Sequence, residues 1–193
     1  MKRGLNRQII VTEAIRMVEE QGYDRLSVRE LAGRLGIKPA SLYNHIEGIE
    51  DLAVSIAETV GERLEHELKC AVEGKGREDA LRGAARAYLA FAAEHYQLYR
   101  ALIRVPKADT ERHRTVGAKS FACFMEILHG YGLDTKVEHN LVRMLRSFLH
   151  GFVELCESGY LTHTYGDRRD SFDFAIEEFI GLLRSYSKGR TER

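Results

Sequence analysis

Ser27-Val28-Arg29-Glu30-Leu31-Ala32-Gly33-Arg34-Leu35-Gly36-Ile37-Lys38-Pro39-Ala40-Ser41-Leu42-Tyr43-Asn44-His45 is the stretch on which the fold turns. Ser27 with Glu30 three residues later is a capping box, in which a hydroxyl accepts an orphan N–H of a helix start and a carboxylate reaches back. A helix therefore begins at Ser27, buries Leu31, Ala32 and Leu35, and stops at Gly36. Only Ile37 and Lys38 separate it from Pro39, whose missing N–H suits the first turn of another helix, reaching about His45. Two short helices across a glycine-containing turn make a helix-turn-helix, whose second helix can enter a major groove.

Helical spacing continues on both sides. Upstream, Ile10, Ala14, Met17 and Val18 form one apolar stripe over about Asn6 to Gln21, and Gly22 ends it. Downstream, Leu52, Ile56, Val60, Leu64 and Leu68 predict a helix from about Ile49 to Leu68, with Glu50 and Asp51 where the helix dipole favours acids. Gly74-Lys75-Gly76-Arg77 is a polar break. Beyond it helices are expected near 78–94, 96–104, 111–130, 135–158 and 169–187, with loops at 105–110 and 159–167. No run alternates as a strand would. The expectation is an all-α chain of about nine helices, divided into a helix-turn-helix domain, 1–48, and a helical domain, 49–193.

Composition narrows the class of function. The 193 residues are 44% hydrophobic and 30% charged with zero net charge, and the only prolines are Pro39 and Pro106, so long helices can run uninterrupted. No uncharged apolar run approaches the roughly 18–20 residues of a membrane span, and the basic start is not followed by an apolar signal region. Cys70, Cys123 and Cys156 are too few and too far apart for a disulfide framework or a Cys-x-x-Cys pair, so a reduced, cytoplasmic chain is expected. Charge is unevenly spread: residues 1–46 hold eight Lys/Arg against five acids. The excess suits a small DNA-contacting head, although an asymmetry of this size also arises by chance.

The third helix can be read by its faces at about 100° per residue. With Leu42 and Ile46 turned to the core, Ala40 and Asn44 point away and Ser41 and Tyr43 lie on the flanks. Asn can bond adenine edges bidentately, Ala can pack on a thymine methyl, and Ser and Tyr hydroxyls can reach phosphates or bases. The plainer alternative is a helical hairpin with a polar, solvated face.

From Ile9 to Leu52 the chain resembles the TetR/AcrR family of bacterial regulators. The residues carrying the likeness are Ile10, Ala14, Gly22-Tyr23, Ser27 to Ala32, Leu35-Gly36-Ile37, Leu42 to His45 and Leu52. The resemblance implies an all-α fold, dimerisation through the last two helices and operator binding through the third. By position it assigns DNA contact to Ser27, Arg29, Ser41, Tyr43, Asn44 and His45; the angular reading adds Ala40, and Lys38 adds a charge close by. Three departures stand out: Lys38 replaces a usual Ser or Thr cap, Ile46 a usual Phe, and Ile49 a Lys that would meet phosphate.

The C-terminal half resembles the family subgroup with a Trp before a His-Gly motif, through Arg82 to Ala92, His95 to Leu102 and Leu149-His150-Gly151-Phe152-Val153-Glu154-Leu155, although the chain contains no Trp. Phe91, His95, Tyr99, Phe121, Phe124, Met125 and His150 are candidates for an effector pocket, or plain core. His150, Glu154 and Cys156 supply too few ligands at known spacings for a metal site, and Gly74-x-Gly76 lacks the strand a dinucleotide site needs. No nucleophile–base arrangement is readable, so neither catalysis nor a cofactor is expected. Two apolar stripes occur late: Leu141, Leu145, Phe148, Leu149, Phe152 and Leu155, then Phe172, Ala175, Ile176, Phe179, Ile180, Leu183 and Tyr186. They can close a monomer core. By resemblance they form a dimer interface instead, with Leu145, Phe152, Phe172, Ile176, Phe179, Ile180 and Leu183 at its centre.

The expectation is a ligand-released repressor, a homodimer on a palindromic operator, with double-stranded DNA and an unidentified small molecule as partners. The alternative is a small-molecule-binding helical protein without DNA binding.

Overall fold

A computed structural model describes residues 4–104, 111–119, 121–161 and 166–188. Among them are ten α-helices: α1 Arg7–Gln21, α2 Val28–Leu35, α3 Pro39–Leu42, α4 Ile49–Val72, α5 Arg77–Glu94, α6 Tyr96–Ile103, α7 Glu111–Lys119, α8 Ala122–His129, α9 Thr135–Glu157 and α10 Arg168–Lys188. No strand occurs among the described residues. The single helix expected over 111–130 is two. Phe121, at φ −122° and ψ 3°, lies outside helical geometry where α8 begins. The loop expected at 105–110 and residues 162–165 of that at 159–167 lie outside the described residues.

The chain divides into two compact units, Met1–Arg63 with Glu94–Ser120, and Leu64–Ala93 with Phe121–Arg193. The sequence boundary at 48/49 marks the end of the helix-turn-helix. The units part later than that because α4 runs without a break from one into the next.

In the first unit α1, α2 and α3 surround Ile10, Ala14, Met17, Val18, Leu31, Leu42 and Ile46, all buried. Asn6 caps α1 by accepting from Ile9 N at 2.9 Å. Gly22 ends the helix at φ 89°, a left-handed value that favours glycine. A 3₁₀ turn, Tyr23–Arg25, then leads to α2. This corner is held from outside the helix-turn-helix. Gln97 of α6 accepts from Tyr23 N at 3.3 Å, and Arg100 and Arg104 pair with Asp24 at 2.7 and 3.3 Å.

In the second unit α5 and α10 run antiparallel and are joined by a ladder of ion pairs: Arg86 with Asp173, Arg82 with Glu177, and Glu78 with Arg184. Exposed pairs contribute about 0–1 kcal/mol each, so the ladder fixes register more than it stabilises. Apolar burial holds the unit together. Leu145, Phe152, Phe172, Ile176, Phe179, Ile180 and Leu183 are each at most 8% exposed within the single chain. These seven, expected at the centre of a dimer interface, are thus already covered within their own chain. Their stripes face inward, because α9 and α10 must first bury an apolar face within their own chain. The apolar side chains that α9 and α10 leave outside are Met144, Leu155, Phe174 and Tyr186.

One close approach sets the spacing of α4 and α5. A Cβ at Gly83 would lie 2.6 Å from the Ala71 carbonyl oxygen, a backbone atom that cannot swing aside. Gly83→Ala should push α5 from the end of α4 and lower stability by about 1–3 kcal/mol, despite the better helix propensity of alanine. Urea unfolding of the two proteins gives the difference. A neutral or stabilising effect would show that the approach is not tight.

Candidate nucleic-acid interface

Ser27 lies at the N-cap of α2, and its hydroxyl oxygen accepts from Glu30 N at 3.2 Å, which leaves the hydroxyl proton free to donate. Gly36 closes α2 in the left-handed region at φ 66°. Lys38 then opens α3 without a side-chain cap. The α-helix expected to reach His45 ends at Leu42. Past it the chain tightens: His45 N bonds to Leu42 O at 2.8 Å, while Ile46 N keeps the α-type bond to the same oxygen at 3.0 Å. A helix without a capping side chain and only one turn long has little intrinsic stability, so its neighbours set its position.

The faces nevertheless fall as the angular reading places them. Leu42 and Ile46 are 0% and 2% exposed. Pro39, Ala40, Tyr43 and Asn44 face solvent, and Ser41 and His45 are half-buried at the flanks. Tyr43 projects with 58% of its surface exposed, unusual for so large a side chain without a partner surface.

Half of the six described cations near the N-terminus are paired with acids of the chain. Arg34 is paired with Glu20 at 2.8 Å, and Arg16 approaches Glu13 at 3.4 Å. Arg7 has four of its five N–H donors engaged: with both Asp51 carboxylate oxygens, Ser55 Oγ at 2.6 Å and the His45 carbonyl at 2.9 Å. Arg25, Arg29 and Lys38 have no carboxylate partner among the described residues. Arg25 was not among the candidates drawn from the sequence. The signal available was a cation next to a helix-turn-helix corner, which spacing alone cannot separate from an ordinary surface arginine. Ile49, where the resemblance leads one to expect Lys, is exposed at the start of α4.

The Arg7 cluster extends further. Arg112 of α7 bonds Asp51 at 2.8 Å, Ser55 at 3.1 Å and Glu58 at 2.7 and 2.9 Å. Asp51 also accepts from Glu47 N at 3.0 Å. Its carboxyl is held well below the usual 3.8, chiefly by the bonds from Arg7, against the opposing effect of burial and with help from the Glu47 N–H and Arg112. The recognition turn is thus tied through one peptide oxygen to α1, α4 and α7.

The seven effector-pocket candidates are divided between the two units. Phe121 and Phe124 stack at 4.8 Å and meet Tyr88 edge-on at 6.1 Å. His150 joins them, its Nδ1 3.0 Å from Tyr88 Oη. Its Nε2 accepts from Arg146 at 3.4 Å, and burial, then Arg146, pushes its pKa down to about 4, so the ring is neutral. Phe91 is buried and Met125 half-buried in the same unit, whereas His95 and Tyr99 belong to the other. None of the seven lines the cavities of about 550 and 720 Å³ that open in the two units. Among the described residues no group of His, Cys, Asp and Glu could hold a metal, and no helix is long and apolar enough to cross a membrane.

Comparison with known proteins points one way. Residues 10–56 match the family model described as bacterial regulatory proteins, tetR family, and residues 81–179 match the Tetracyclin repressor-like, C-terminal domain. An uncharacterized HTH-type transcriptional regulator of Mycobacterium tuberculosis, Rv0681, is 32% identical over 97% of this chain and 86% of its own. A structure of a protein with unknown function from Rhodococcus sp. RHA1 superposes with a TM-score of 0.77 at 22% identity, covering 96% of this chain and 97% of that one. ActR of Streptomyces coelicolor, in complex with (S)-DNPA, gives 0.69 at 21% identity over 95% and 98%.

The direction of the Asp51 shift sets a pH dependence. A carboxyl whose pKa is depressed on folding contributes stability above its unfolded value, and that contribution is lost as pH falls through and below it. Asp51→Asn should cost about 1.5–3 kcal/mol near neutrality, towards the lower end because Arg7 is partly exposed. The difference from wild type should shrink as the pH is lowered from about 7 to about 3. Urea unfolding across that range measures it; a constant difference would mean that the carboxylate charge does not hold the cluster.

Proposed function

The chain belongs to the TetR family of bacterial regulatory proteins, non-enzymatic regulators that bind DNA through a helix-turn-helix, and from that premise we propose that it is a homodimeric, ligand-released repressor acting on a palindromic operator. The observation that carries the reading is the surface around α3. Ala40, Tyr43 and Asn44 project together over a buried Leu42 and Ile46, and three cations without a carboxylate partner, Arg25, Arg29 and Lys38, flank them. In this reading the cations and the Ser27 hydroxyl meet phosphates, while Asn44, Ala40 and Ser41 read base edges and Tyr43 and His45 contact the flanks.

Two recognition turns have to enter successive major grooves about 34–36 Å apart, so a shared rigid body must hold that separation. The surface assigned to dimer contact is the outward face of α9 and α10. Met144, Leu155 and Phe174 are 45%, 44% and 66% exposed there, and Gly151 and Gly181 leave open space where a partner helix can approach closely. Exposed large apolar residues clustered on helices support an interface. The bound (S)-DNPA of ActR supports, by likeness of fold, a small-molecule effector. A ligand preferring the conformation with mis-spaced recognition turns must weaken operator affinity, and operator must weaken ligand affinity equally.

Selection from random duplexes should return a palindrome, with affinity that falls as salt rises. Asn44→Ala should reduce discrimination between that sequence and scrambled DNA by about 1–3 kcal/mol and leave the circular dichroism spectrum unchanged. Equal discrimination by the variant would remove Asn44 from base reading. Phe174→Asp with Leu155→Asp should give a folded monomer with weakened operator binding in sedimentation. Ile180→Asp, at a fully buried position, should unfold the chain rather than separate it. A dimer that survives the surface pair would move the interface elsewhere.

A further inference from the structure

We infer that the cleft between α5, α9 and the start of α10 binds an amphipathic anion, an apolar body ending in a single carboxylate; this rests on the reading that the chain answers to a small molecule. The cleft encloses about 720 Å³, within the range of about 300–1,000 Å³ usual for ligand sites. Its wall is apolar and firm. Leu89, Val153, Phe152 and Phe172 line it, and the two phenylalanine rings meet edge to face at 5.0 Å, each nearly without solvent contact.

The rim selects the charge of the occupant. It carries three arginines, Arg86, Arg168 and Arg169, against two acids, Glu157 and Asp173. Asp173 is taken up by Arg86 in a bidentate pair at 2.9 and 2.8 Å. Arg168 and Arg169 have no carboxylate bonded to them among the described residues, and Arg168 meets the Cys156 thiol. They also occupy the first turn of α10, where the helix dipole disfavours cations, so the stability of α10 does not account for them. Two guanidinium groups with no carboxylate bonded to them, lining an apolar cavity, match a carboxylate on an apolar chain, because the planar fork can bond both oxygens while the wall takes the hydrocarbon. A cationic ligand would meet net repulsion at the same rim, and a neutral one would leave both forks without an anion.

Calorimetric titration of the full chain with dodecanoate below its micellar concentration, beside dodecanol and dodecyltrimethylammonium, tests the assignment. Dodecanoate should bind in preference to both. The double variant Arg168→Gln, Arg169→Gln should weaken dodecanoate at least about tenfold, the loss of charge-assisted bonds, with dodecanol unaffected. Ala90→Trp, which fills the cleft from an exposed position without touching the charges, should block dodecanoate independently. Equal binding of dodecanoate to wild type and both variants, no binding at all, or equal affinity for the alcohol would each overturn the proposal. Retardation of operator DNA is read in parallel. Binding that depends on Arg168 and Arg169 but leaves retardation unchanged upholds the cleft and refutes the effector reading.

Discussion

One guanidinium joins parts of the DNA-binding unit that are far apart in sequence. Arg7, at the first position of α1, reaches the Asp51 carboxylate of α4 and the carbonyl of His45, 38 residues away, at the end of the recognition turn. That turn has no side-chain cap at Lys38 and only one regular helical turn, so local forces do not fix where Tyr43 and Asn44 point. The fixing comes from tertiary bonds: Leu42 and Ile46 held in the core, and the His45 oxygen held by Arg7. Asp51 in turn stays ionised because Arg7 and Arg112 both face it. The groups are mutually dependent, and loss of one leaves a charge partly buried without its partner.

This arrangement bears on how regulation can reach DNA. Arg112 of α7 shares Asp51 and Ser55 with Arg7. A shift of α7 by a fraction of a hydrogen-bond length would be felt at the same carboxylate that orients Arg7. At the opposite corner, Gln97 and Arg100 of α6 hold the 3₁₀ turn before α2. The 3₁₀ turn before α2 is therefore held by α6, and the carboxylate that orients Arg7 is shared with α7, two helices that follow much later in the chain. Neither bond network requires a large movement to change the pose of the turn, because hydrogen bonds weaken steeply with distance and angle.

The helices and their stops were legible because their signals are local. Ser27, Gly22 and Gly36 act within a few residues of themselves, and all three cap or end a helix where the sequence indicates. The inward turn of Leu42 and Ile46 was legible from angular spacing. What the sequence did not disclose depends on partners distant in the chain. Arg7 read as one more cation of a basic head, and its capture by Asp51 is a bond across 44 residues. The stripes of α9 and α10 were visible, but periodicity cannot say whether an apolar face meets its own chain or another. Burial of Ile180 and exposure of Phe174 distinguish the two faces. Aromatic spacing likewise grouped Tyr99 with Phe121, which belong to different units.

The internal capture of charge has a consequence for behaviour among a genome's worth of competing sequence. Of the basic residues near the recognition turn, Arg25, Arg29 and Lys38 are the described ones left without a carboxylate. Attraction to arbitrary duplex grows with each phosphate neutralised, roughly 0.9 in the logarithmic salt slope per contact. Three such contacts would add only roughly 2.7 to that slope, so under the proposed reading the described cations hold the chain weakly to arbitrary duplex. Under that reading, preference for one sequence over another rests on the projecting face of Ala40, Tyr43 and Asn44 rather than on charge.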